Sequence, residues 1–113
     1  MITYDVSTSL IMTHTIFKQW HLNRVLEENG IDNPNIDWVV NDLEVIGNCD
    51  SGIIDIPVLI QELMLLVSMG VSGIITLIDD HHNHTAFKLQ NGAILPLAGR
   101  VVYEISGDII NIR

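Results

Sequence analysis

Residues 55–78 read DIPVLIQELMLLVSMGVSGIITLI, and the fold turns on how this stretch is divided. From Leu63 to Ile78 there are sixteen residues without a charge. That is shorter than the ~20 apolar residues that cross a bilayer as a helix. Glu62 and Asp79 flank the run, no Lys or Arg lies nearby to orient it, and Gly70 and Gly73 divide it. The stretch therefore reads as a helix followed by a strand. Asp55 is placed to cap the helix and Pro57 falls in its first turn, where the missing N–H is no loss. The helix is expected from Ile56 to Met69, stopped by Gly70. Only Gln61, Glu62 and Ser68 are polar within it, so it should be almost wholly buried against a sheet.

Working towards the C-terminus, a strand is expected over Gly73–Ile78. Thr85–Leu89 and Ala93–Leu97 flank Asn91-Gly92, the dipeptide of a tight hairpin turn. Pro96 marks its strand as an edge or a bulge. Two more strands are expected at Val101–Ile105 and Asp108–Ile112. Working towards the N-terminus, 37–46 combines β-branched and aromatic residues without strict alternation, and leans towards a strand. Gly47–Gly52 reads as a polar turn and 31–35 as a loop. A helix is expected over Thr13–Asn29, ending at Gly30, and a short strand over 2–6. The apolar residues of that first helix fall in two groups, Ile16, Phe17 and Trp20, then Leu22, Val25 and Leu26. They make no single stripe, so either two sides are buried or one group is left for a partner. Helices followed by a run of strands predict an α+β fold: two main helices packed on an antiparallel sheet with a C-terminal β-meander. No linker or repeat interrupts the chain, and its 113 residues are read as one domain, 1–113.

Hydrophobic residues make up 48% of the chain, enough for a core without disulfides or structural metal. The net charge is −9, from fourteen acids and only five Lys or Arg. Between Val25 and Phe87 there are eleven Asp or Glu and no Lys or Arg. Such a surface repels nucleic acid and anionic membrane, so neither is an expected partner. A basic protein would be attracted. Cys49 is the single cysteine and the N-terminus lacks a basic leader, which together favour the cytoplasm.

Motifs for chemistry are sparse. Asp79-Asp80-His81-His82-Asn83-His84 is the densest polar cluster. His81, His82 and His84 are the alternative metal ligands, and the loop is the seat of an alternative reading as a small metal-binding protein or enzyme. Against that, neighbouring side chains in extended backbone diverge, and a hairpin loop explains the same residues. Asn33, Asn35, Asp37 and Glu44 carry the spacing of a calcium loop, but Trp38 stands where the sharp turn needs Gly. His14 and His21, seven residues apart, share a helix face without reaching Cys49. No catalytic residue is assigned, no cofactor is expected, and the chain is not read as an enzyme. A homo-oligomer built on the apolar helix and a mimic of nucleic acid are further readings.

The exposed-looking acids between Glu27 and Asp80, with Trp20 and Trp38 among them, give the chain a general character that resembles the immunity proteins of bacterial toxin systems. The resemblance lies in size, charge and fold class over the whole chain, with no family motif. It implies a stoichiometric inhibitor that covers the basic active site of a cognate toxin, often a nuclease, with carboxylates standing in for phosphates. Asp37, Trp38, Asp42, Glu44 and Asp50 are the expected partner contacts.

Overall fold

The computed structural model describes residues 2–97. The elements run β1 (Tyr4–Met12), α1 (Gln19–Glu28), β2 (Asp37–Asn41), β3 (Glu44–Asn48), α2 (Ile56–Ser68), β4 (Val71–Asp79), β5 (His84–Gln90) and β6 (Ala93–Leu97). The six strands form one sheet in the order β2-β3-β1-β4-β5-β6, antiparallel at every pairing. The fold is α+β, as its order of elements predicts, and β4-β5-β6 form the meander. The further strands expected at Val101–Ile105 and Asp108–Ile112 lie outside the described residues.

One face of the sheet carries the core. Val40, Val45, Leu10, Gly73, Leu89 and Ile94 stand in register across all six strands. Flanking them, Trp38, Met12, Val71, Ile75, Leu77 and Phe87 pack with Leu22 and Leu26 of α1 and Leu59, Leu63, Leu66 and Val67 of α2. Gly73 sits in the middle of the row at φ +134, and a Cβ there would collide with the Ser9 carbonyl oxygen. Glycine is what lets β1 and β4 approach at that point.

β1 is longer than the expected 2–6, and α1 is shorter than the expected Thr13–Asn29. All of Tyr4–Met12 pairs with β4. Thr13 continues the tie by donating its N–H and its hydroxyl to Gly70 O, at 2.9 and 2.7 Å. Residues 13–18, expected as the first turns of the helix, belong to neither element: they connect β1 to α1, and helix begins only at Gln19.

The ambiguous stretch 37–46 is a hairpin with a two-residue turn at Asp42-Leu43. Trp38 and Val40 face inward on β2, whereas Val45 and Gly47 face inward on β3, so the inward parity switches across the turn. That switch is why one alternation could not be traced through it. Gly47, expected in a turn, lies inside β3 opposite Trp38. A Cβ at Gly47 would meet Trp38 Cζ3 at 2.8 Å, so the glycine leaves room for the indole.

α2 follows its expected span, and Asp55 caps it by accepting from Val58 N at 3.4 Å. Its burial differs from expectation. Met64 is exposed, while Glu62 is fully buried. No helix among the described residues is long and apolar enough to cross a membrane. The Asn91-Gly92 turn has φ +51 and +75, both positive as a type I′ hairpin requires.

Candidate functional site

The expected contact residues cluster on the β2–β3 hairpin, but not all face outward. Asp37, Asp42, Glu44 and Asp50 are exposed. Asp37 pairs with Asn48 at one end of the hairpin, and Asp50 follows just beyond β3 at the same end. Asp42 and Glu44 sit at the turn. At ~3.3 Å per residue the two ends are about 13–16 Å apart. Trp38 is corrected: it is 3% exposed and has no surface to offer a partner. Its ring fills the space over Gly47 because its strand position points into the core.

The exposed tryptophan is Trp20. It is 56% exposed, Ile16 67% and Leu43 50%. All three line a groove of about 710 Å³ between the start of α1 and the β2–β3 turn, with Asp42 beside them and Lys18 as its only Lys or Arg among the described residues. The Trp20 indole stacks on the His21 imidazole, with ring centroids 3.7 Å apart and planes at 23°. Ile16, Phe17 and Trp20 are the first of the two apolar groups of the expected helix, and only Trp20 lies within α1. Phe17 turns into the core, whereas Ile16 and Trp20 stay outside. The split pattern signalled such an exposure, but sequence could not say which group would be left out.

The hairpin is anchored by Glu62 of α2. Its carboxylate accepts from Asn35 N at 2.9 Å, Asn35 Nδ2 at 3.3 Å, Ile36 N at 3.4 Å and Trp38 Nε1 at 2.9 Å. Burial pushes the Glu62 carboxyl above its ordinary pKa, and the hydrogen bonds from Asn35, Trp38 and Ile36 partly restore the charged form. Asn35 also joins Asp55, donating from Nδ2 to its carbonyl and accepting from its N–H at 3.0 and 3.1 Å. The calcium-loop spacing thus dissolves: Asn35 is spent on α2, and Glu44 lies in the ladder opposite Asn41.

The Asp79–His84 stretch is a compact hairpin loop. Asp79 Oδ1 accepts from His81 N and Asn83 N, each at 2.8 Å. These bonds, led by that of Asn83 N–H, hold the Asp79 pKa below its ordinary value. His81 and His82 are exposed and His84 half-buried. Among the described residues no three His, Cys, Asp or Glu side chains are grouped to hold a metal.

His14 and His21 line a second groove, of about 730 Å³, whose walls include Thr13, Phe17, Gly70 and Asn91. Thr13 gives its hydroxyl proton to Gly70 O and lies 3.0 Å from His14 Nδ1. Cys49 is half-buried and apart from both.

No family model, curated protein or solved structure matches this chain.

Proposed function

We propose that the chain is an acidic protein-binding inhibitor, a cytoplasmic immunity protein that blocks the basic active site of a cognate nuclease-type toxin. The observation that carries the reading is the juxtaposition of Trp20, Ile16 and Leu43 with Asp42 at one groove. Interfaces are held by a few aromatic anchors ringed by polar groups, and opposite charge speeds encounter. The net charge of −9 supplies the long-range attraction to a basic partner.

The test is titration calorimetry and stopped-flow binding against the cognate toxin, sought as the basic protein captured from the native host. A one-to-one complex with salt-sensitive association is expected, and inhibition of the toxin should track occupancy. A captured partner whose affinity ignores Trp20→Ala, or whose activity persists in the complex, would defeat the reading.

A further inference from the structure

Among the described residues β2 ends the sheet and pairs only with β3. An unprotected edge strand presents unpaired N–H and C=O groups. Here the groups at its centre are engaged by one side chain. Gln19 Nε2 donates to Trp38 O at 2.9 Å, and Val40 N donates to Gln19 Oε1 at 2.8 Å. A primary amide has the donor and acceptor of a peptide group. These two contacts are those that a single residue makes in a strand running parallel to β2, with its N–H to one carbonyl and its C=O to the N–H two residues further on.

We propose that the outer edge of β2 is a strand-acceptor site, held by the Gln19 amide in the free protein and given up to an extended basic segment of the partner. The inference rests on the protein-binding reading above and specifies how that binding is made. The groove that contains Gln19 also contains Val40, Trp20, Leu43 and Asp42, so an incoming strand meets backbone partners, apolar anchors and a carboxylate together. Asp37 and Asp42 stand at the two ends of β2, both exposed. Among the described residues Lys18 is the one Lys or Arg facing the groove, and an acidic segment would gain only that single partner. Gln19 acts as an internal competitor, because its two bonds are exchanged for two of the same kind. Discrimination then comes from the side chains and charges of the segment. Asn23 Oδ1 accepts from Gln19 Nε2 at 3.0 Å and helps hold the amide in place.

The probe is the peptide acetyl-Lys-Val-Lys-Val-Lys-Val-Lys-amide, compared with a counterpart N-methylated at every internal residue. The two have the same charge, but the second has no backbone donor at those residues. Binding to the full chain is followed by NMR at the Val40 amide and the Gln19 side-chain amide. The plain peptide should shift both and free the Gln19 amide. The methylated peptide should bind at least about tenfold more weakly, the loss expected for one or two hydrogen bonds. Gln19→Ala removes the competitor and should tighten the plain peptide about threefold or more.

Equal affinity of the two peptides for the wild-type chain overturns strand addition, and does so even if Gln19→Ala fails to fold. An unshifted Val40 amide, or a Gln19→Ala variant that binds no tighter, overturns it as well. If both peptides bind equally and Asp42→Asn weakens both, the acidic docking face survives without strand pairing. If the plain peptide pairs at β2 but no basic protein from the host binds, the inhibitor reading falls instead.

Discussion

Trp38 donates its indole N–H to Glu62 at 2.9 Å, joining the edge strand β2 to helix α2 through the core. Both side chains are buried, and among the described residues no cation pairs with the carboxylate. Its oxygens are met by the N–H groups of Asn35, Ile36 and Trp38. Three of these are backbone or indole N–H groups buried or half-buried against α2.

Removing the carboxylate should therefore be severe. Glu62→Ala strands the buried donors of Asn35, Ile36 and Trp38, and is expected to lower stability by about 3–5 kcal/mol. Trp38→Phe removes one bond and part of the ring, and is expected to lower it by about 1–3 kcal/mol. Urea denaturation followed by far-UV circular dichroism measures both. A loss under about 1 kcal/mol for Glu62→Ala would show that the network is dispensable.

Stability should depend on pH in two opposed ways. The Glu62 pKa is raised in the folded chain, so the native state holds that proton more tightly than the unfolded one. Its contribution is greatest below the ordinary carboxylate pKa and declines as pH rises through the folded value. The Asp79 pKa is lowered, so its contribution is present above the ordinary value and is lost as pH falls. Glu62→Gln should flatten the decline on the alkaline side, and Asp79→Asn the loss on the acid side. Urea midpoints measured across pH check each variant separately, and a profile unchanged by Glu62→Gln would refute the first assignment.

Gly73 should tolerate no side chain. Its φ of +134, and the Ser9 carbonyl oxygen lying where a Cβ would project, leave none of the space an alanine needs. Gly73→Ala is expected to lower stability by more than about 3 kcal/mol, since β1 and β4 would have to separate at the centre of the sheet. Gly92 is the contrast: nothing lies within 4 Å of its Cβ position, and only its φ of +75 resists substitution. Gly92→Ala should cost about 1 kcal/mol and Gly92→Asn less. Thermal melting of the three variants distinguishes a steric cause from a conformational one.

The two tryptophans should separate binding from stability. Trp20→Ala is expected to weaken a toxin complex by about 2 kcal/mol or more, with stability changed by about 0.5 kcal/mol. Asp42→Asn removes the charge while keeping a residue that accepts the φ of +54 found there. It should slow association and reduce its dependence on salt, with little effect on folding. Alanine at Asp42 would confuse the two effects by straining the turn. Calorimetry with stopped-flow kinetics reads affinity and rate together, and an unaltered association rate in Asp42→Asn would remove that carboxylate from the docking face.

Much of the fold was legible from local chemistry. The Asp55 cap, Pro57 and Gly70 bound α2 because capping and the missing proline N–H act within one turn of chain. Asn91-Gly92 announced its hairpin because few residue pairs accept two positive φ values. Where an element's extent depends on a pairing partner distant in the chain, local signals failed. Ser7–Met12 joined β1 because β4 was there to pair with it, and Asp42-Leu43 became a turn although it lacks the usual glycine.

Composition likewise determined the sign of the net charge, with eleven Asp or Glu and no Lys or Arg between Val25 and Phe87. Which groups point outward was decided only by tertiary structure. Nothing in the order of residues distinguishes Trp20 from Trp38, or shows that Glu62 is the acid withdrawn into the core while Met64 stays outside. Those outcomes depend on the register of β2 against Gly47 and on the donors that Asn35, Ile36 and Trp38 bring to α2 from about 25 residues away along the chain. Burial of a side chain is a property of what packs over it, and that is settled by contacts far apart in sequence.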